Sequence, residues 1–174
     1  ASLSTSAISD MNALVSSSDY RMISDAVKKY EQYPDDTSTA WEALQKRKDD
    51  VVEEAKNKLL ELVSAENPRD IDKAVGAFDI YGDELDDARH TVSERRMQLT
   101  QAATKELEDA LSDEAVTVPR VNELLKLYKE YPDDIERQRS ALRDRKTTMV
   151  SQAEERIKSA LSGSDVESVD RCMK

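Results

Sequence analysis

The chain has 174 residues, of which 36% are charged and 38% hydrophobic, with three Gly, four Pro and one Phe. So little turn and strand material leaves an all-α reading. The formal net charge of −11, with no uninterrupted basic stripe, argues against nucleic acid as a partner.

In chain order, residues 1–16 read as the end of a long helix: Ala7, Met11, Leu14 and Val15 keep the spacing of threes and fours that one buried helix face requires. Residues 17–64 form a first repeat. Its short helix starts at a capping Asp19, places Ile23, Ala26, Val27, Tyr30 and Tyr33 on one face, and stops at Pro34-Asp35-Asp36. Its long helix, predicted over about 34–64, carries a stripe of Trp41, Leu44, Val51 or Val52, Ala55, Leu59 and Leu62.

Residues 65–112 repeat the pattern. Asn67 before Pro68 supplies a cap and a first-turn proline. The short-helix anchors Ile71, Ala74, Val75, Phe78 and Tyr81 follow those of the first repeat by forty-eight positions, and the turn reads Gly82-Asp83-Glu84. The long helix is predicted over about 83–112, with Val92, Leu99, Ala103, Leu107 and Leu111 in its stripe. Residues 113–162 repeat it again after Thr117 and Pro119. Val121, Leu124, Leu125, Tyr128 and Tyr131 follow by fifty positions, the turn is Pro132-Asp133-Asp134, and Leu142, Met149, Ala153, Ile157 and Leu161 lie on the long helix over about 133–162. The two extra residues fall before Val121, as a loop insertion. Residues 163–174 read as the start of a further short helix, with Ser164 as its cap and Val169, Cys172 and Met173 on its face. Both ends are in register with the array, so the chain reads as an excerpt of a longer protein. A self-contained array with capping repeats is the alternative.

One step of each long stripe lacks its apolar residue. Lys48, Arg96 and Lys146 stand there, preceded by Arg47, Arg95 and Arg145. A long helix of about 30 residues climbs about 45 Å and a short one of about 13 returns about 20 Å, so successive repeats must advance by roughly 25 Å. The expected architecture is a staggered rod of three-helix bundles, with a level α-solenoid as the alternative. The stagger places Arg47 and Lys48 near Asp83 and Glu84, and Arg95 and Arg96 near Asp133 and Asp134, as inter-repeat ion pairs worth at most about 1 kcal/mol each if exposed. An ordinary solvated face with local partners such as Glu42 or Asp50 is the plainer reading of the same pairs.

No residue set points to chemistry. The acidic pairs lack the alternating oxygen ligands and the Gly of a calcium loop. His90 aligns with Glu42 and Ser140, an exposed register position. No Ser–His–acid set or Gly-rich phosphate loop is present. No cofactor, metal or catalytic residue is therefore expected, and the chain is not expected to be an enzyme. Cys172 replaces Ala26, Ala74 and Leu124 and reads as a buried thiol in a reducing compartment. The tyrosines have helical spacing and read as core or turn packing. No apolar run spans a bilayer and no signal peptide is recognisable, so a cytoplasmic setting is the default expectation, with a cytoskeletal one as its finer form.

In outline the inferred topology resembles the spectrin-type rod, in which three-helix bundles share a continuous helix across each junction. The repeat here is about half as long, and no binding residue carries over. The resemblance implies a spacer or scaffold whose partners are proteins, such as other subunits of a cytoskeletal assembly. The competing expectation is an adaptor solenoid holding a partner helix or peptide, for which Leu85 and Ile135, equivalent to Thr37, are the candidate exposed apolar contacts.

Overall fold

A computed structural model describes residues 3–33 and 37–162. All regular structure among them is helical: α1 (Leu3–Leu14), α2 (Tyr20–Tyr30), α3 (Ser38–Glu61), α4 (Pro68–Val75), α5 (Asp86–Ser112), α6 (Val118–Leu127) and α7 (Glu136–Ser162). Turns of 3-10 helix at Leu62–Ser64, Gly76–Leu85 and Asp133–Ile135 follow α3, follow α4 and precede α7. The long helices therefore lie within the spans set by their apolar periods. Pro34, Asp35 and Asp36, and the further short helix expected over 163–174 with Cys172, lie outside the described residues.

The helix starts follow their capping chemistry. The Asp19 carboxylate accepts from the Met22 amide at 3.2 Å, and the Asn67 side chain accepts from the Arg69 amide at 2.9 Å. Thr117 is extended and makes no side-chain cap, leaving Pro119 in the first turn to set the start of α6. The ends differ more. Gly82 adopts φ 52° and ψ −138° inside the 3-10 segment after α4, whereas Pro132 at the same register position has φ −58°. A proline ring cannot reach positive φ, so the two turns share a place in the repeat and differ in backbone path.

The packing divides the chain into two units: Ala1–Glu66 with Asp70–Arg95, and Asn67–Arg69 with Arg96–Lys174. One boundary of the division falls inside α5, between Arg95 and Arg96, and the others flank Asn67–Arg69. In the first unit α1 and α2 pack on α3, and the Gly76–Leu85 segment packs on α2 and α3. Met11, Ile23, Val27, Tyr30, Ala40, Leu44 and Val51 form its main core. Leu59, Ile71, Leu85, Ala88 and Val92 in the same unit are buried as well. In the second unit α6 packs on α7, and Ala103, Leu107, Val121, Leu124, Tyr128, Ile135 and Leu142 form the core. Position by position, Ala103, Leu107, Val121 and Leu142 correspond to Ala7, Met11, Ile23 and Leu44, so each unit fills its centre from the same register positions.

Burial varies along the stripe. Ile23, Leu44, Leu59, Ile71, Leu107, Val121 and Leu142 are fully buried, and Val27, Tyr30, Ala55 and Tyr128 are buried. Trp41 and Phe78 are only half-buried. Ile157 is 37% exposed. The residues equivalent to the short helices that follow Leu59 and Leu107 fall at 163–174, outside the described residues.

Leu85 and Ile135 are corrected outright. They are 1% and 0% exposed, and Thr37 is 2% exposed. These positions sit at the start of each long helix and fill the core, so they offer nothing to a partner. No described helix is long and apolar enough to cross a membrane.

Candidate functional site

The polar contacts that recur along the chain lie where helices end. A helix leaves its last carbonyls without intrahelical partners, and an Arg fork is well suited to satisfy them. Of three recurring families of side chains, the first and third do so here, and the second meets the turn acids.

The first is the leading residue of each basic pair. Arg47 Nε donates to the Ser17 carbonyl at 2.8 Å, in the loop between α1 and α2. Arg95 Nη2 donates to the Ala65 carbonyl at 3.2 Å, in the loop between α3 and α4. Arg145 donates to the Leu111 carbonyl at 2.6 Å and to the Asp113 carbonyl, at the end of α5 and just beyond it. Ser17, Ala65 and Asp113 are themselves forty-eight positions apart. Each arginine thus fastens the loop that enters a short helix to the middle of the long helix after it. Arg47 and Arg95 depart here from the expectation that they face the turn acids. The competing attraction is an open carbonyl close at hand, which the guanidinium satisfies. Arg47 also pairs with Glu54 at 3.2 Å, on its own helix.

The second residue of each pair turns to the acids. Lys48 binds the Glu84 carboxylate, and Arg96 Nη2 lies 2.7 Å from Asp134 Oδ2. Glu84 and Asp134 are equivalent in the repeat. The partner is in both cases one residue beyond Asp83 and Asp133. The hydrogen bond that Lys48 donates to Glu84 raises the Lys48 pKa above the usual lysine value, against a smaller opposing effect of burial. Lys146, the third residue of this family, forms no ion pair with the described residues.

The third family escaped the sequence reading. Arg89 donates to the Phe78 carbonyl at 2.8 Å and to the Gly82 carbonyl at 2.7 Å. Arg139 donates through Nη1 to the carbonyls of Tyr128, Lys129 and Tyr131 at 2.9, 3.1 and 3.0 Å. Both close the C-terminal end of a short helix. Their register position in the first repeat is Trp41, whose indole N–H donates to the Val27 carbonyl at 3.0 Å. The signal available was this alignment of three N–H donors of different type. Arg139 is 5% exposed and its charge is met by Glu136 at 2.6 Å. Glu136 also receives a hydrogen bond from Arg143, which is the main reason its carboxyl is held below the usual range.

A tyrosine–acid bond is the last recurring contact. The Tyr30 hydroxyl donates to Asp10 at 2.8 Å, and the Tyr128 hydroxyl donates to Glu106. Each ring also meets a second tyrosine edge-on, Tyr33 at 5.1 Å and Tyr131 at 4.9 Å between centroids. In the middle repeat the equivalents are Phe78 and Lys58, so hydroxyl and acid are both replaced. Burial first, and the bond to Glu106 second, push the Tyr128 phenol well above its ordinary pKa.

These contacts hold helix ends, and none presents a nucleophile–base pair. Among the described residues no cluster of three or more His, Cys, Asp or Glu is placed to hold a metal ion. The chain matches no protein-family model, no curated protein and no solved structure.

Proposed function

We propose that the chain is a non-catalytic structural spacer: a staggered rod of three-helix bundles belonging to a larger cytoskeletal or scaffold protein. The observation that carries this reading is the recurrence of Arg47, Arg95 and Arg145 on the loop carbonyls thirty, thirty and thirty-two to thirty-four positions earlier. A contact repeated once per repeat, at the middle of each long helix, sets the position of every short helix relative to the next long one. That is the requirement for a regular advance.

The helix lengths support the same reading. With 24 residues α3 rises about 36 Å and with 11 residues α2 returns about 16 Å, so a level stack would leave half of each long helix uncovered. Lys48–Glu84 and Arg96–Asp134 add register at little energetic gain, since exposed pairs contribute at most about 1 kcal/mol. The burial of Leu85 and Ile135 weighs against the adaptor reading, which needs apolar side chains left open.

Small-angle X-ray scattering on the monomeric chain tests the proposal. A maximum dimension near 100 Å, about four advances of 25 Å by helix rise, is expected. A compact or strongly curved particle well short of that would overturn the rod and direct attention to what its groove holds.

A further inference from the structure

Within the first unit, α2 and the Gly76–Leu85 segment pack together and leave a cleft of about 590 Å³ between them. Arg21, Ser24 and Lys28 line it from α2, and Ile80 and Tyr81 line it from the turn. The Tyr20 and Tyr81 rings meet at 4.6 Å along one wall, and Ile80 is 39% exposed. Neither Arg21 nor Lys28 forms an ion pair with the described residues. Ser24 is 7% exposed, and its hydroxyl makes no hydrogen bond with them either. The second unit shows what such an arginine takes. Arg69 stands at the register position of Arg21, as the second residue of its short helix, and Glu130 stands at that of Ile80, next to the turn tyrosine. Arg69 and Glu130 form an ion pair at 2.7 Å. In the first unit the arginine remains and an isoleucine has taken the place of its carboxylate.

We infer that this cleft binds an acidic segment of a protein partner, with one carboxylate on Arg21 and an adjacent apolar side chain against Ile80 and Tyr81. Glu130 is the acid that the chain itself supplies to Arg69, and at Arg21 the partner supplies it instead. Lys28 stands two turns farther along α2, about 10 Å away by helix rise. That distance suits a second acid three residues along an extended segment. Ser24 lies between the two cations and offers a donor to the segment's main chain. Asp25 and Asp83 also line the cleft and oppose dense negative charge, so a peptide with separated acids fits where a polyphosphate does not. The cleft lies within one unit, so its occupancy does not depend on how the repeats advance.

The test titrates the full isotope-labelled chain with the blocked peptide acetyl-Glu-Leu-Ala-Glu-amide and with its double-glutamine analogue, following backbone amides by NMR. The acidic peptide is expected to shift the amides of Ser24, Lys28 and Gly82 with a millimolar dissociation constant, and the analogue to bind at least about fivefold more weakly, the factor of one exposed ion pair. Arg21→Gln should weaken the acidic peptide by about the same factor and leave the analogue unchanged, a difference that a purely structural role of Arg21 would not produce. Ile80→Glu, which places an acid where Arg69 has Glu130, should exclude the acidic peptide. Equal binding of the two peptides, unchanged binding by the Arg21→Gln chain, or no shift of these amides at millimolar peptide would overturn the inference. So would displacement of the peptide by an equal concentration of tripolyphosphate, because the cleft would then take any anion. Scattering reads the spacer separately: a compact particle that binds removes the rod and keeps the cleft, and an extended particle that does not bind does the reverse.

Discussion

Arg139 lies almost wholly buried beneath the end of α6 and donates to the Tyr128 carbonyl at 2.9 Å. The same nitrogen also reaches the carbonyls of Lys129 and Tyr131, so one side chain satisfies the oxygens that the terminating helix leaves open. A neutral chain of similar length cannot do this. Arg139→Met is expected to cost about 2–4 kcal/mol, the penalty of leaving buried acceptors and the facing Glu136 unpaired. Arg139→Lys should recover only part, because an ammonium lacks the planar fork. Urea unfolding followed by circular dichroism measures both, and a loss under about 0.5 kcal/mol for the methionine variant would mean that water replaces the guanidinium.

The high-pH limit of stability should be set in part by Tyr128. Its phenol is held above the ordinary tyrosine value of about 10 by burial and by the bond to Glu106, and burial raises Tyr81 in the same direction. A group whose folded pKa is raised contributes stability that is fully present below the unfolded pKa and is lost as pH climbs through the folded one. Stability should therefore fall above about pH 10 as these phenols are forced to ionise. Absorbance titration of the six tyrosines is expected to show a late step that Tyr128→Phe removes. A single step at the ordinary value in the unaltered protein would contradict the assignment.

Gly82 is the position at which the second turn departs from the turn at Pro132. Its φ of 52° lies where an L side chain is strained, although a Cβ there would meet nothing within 4 Å. The cost of Gly82→Ala is therefore backbone strain alone, about 1–2 kcal/mol. Gly82→Pro should cost more, despite Pro34 and Pro132 at the matching places, because the ring fixes φ near −65° and the segment must be rebuilt. Thermal unfolding of the two variants checks the order. A proline variant as stable as the original would mean that the two turn paths interconvert freely.

Helices were legible in the sequence because burying one face forces apolar residues into threes and fours, and Asp19, Asn67 and Pro119 punctuate them. The acids that meet Lys48 and Arg96 were legible for a similar reason, since opposite charges at constant offset constrain each other. The roles of Arg47, Arg95 and Arg145 were not. Their acceptors are main-chain carbonyls, which every residue carries, so no side-chain pattern marks Ser17, Ala65 or Leu111 as special. Arg89 and Arg139 were hidden differently, because a Trp holds their place in the first repeat and a shared N–H donor does not show as a shared residue type. Leu85 and Ile135 were misread because they stand outside the apolar stripe, yet they and the equivalent Thr37 are all buried.

The middle repeat offers the most direct test of how much the tyrosine–acid bond contributes. Tyr30–Asp10 and Tyr128–Glu106 hold the outer short helices, whereas Phe78 and Lys58 stand at the equivalent places. Phe78 is half-buried and Lys58 exposed, so both can be exchanged without opening a cavity. Phe78→Tyr alone adds a hydroxyl beside a lysine, and Lys58→Glu alone adds an acid beside a ring, so neither should gain stability. Together they recreate the outer arrangement and are expected to gain about 1 kcal/mol beyond the sum of the single changes. A double-mutant cycle by urea unfolding measures that excess. An excess of zero would indicate that the 3-10 path through Gly76–Leu85 carries the ring away from α3, and that the loss of hydroxyl and acid in this repeat follows from its different turn.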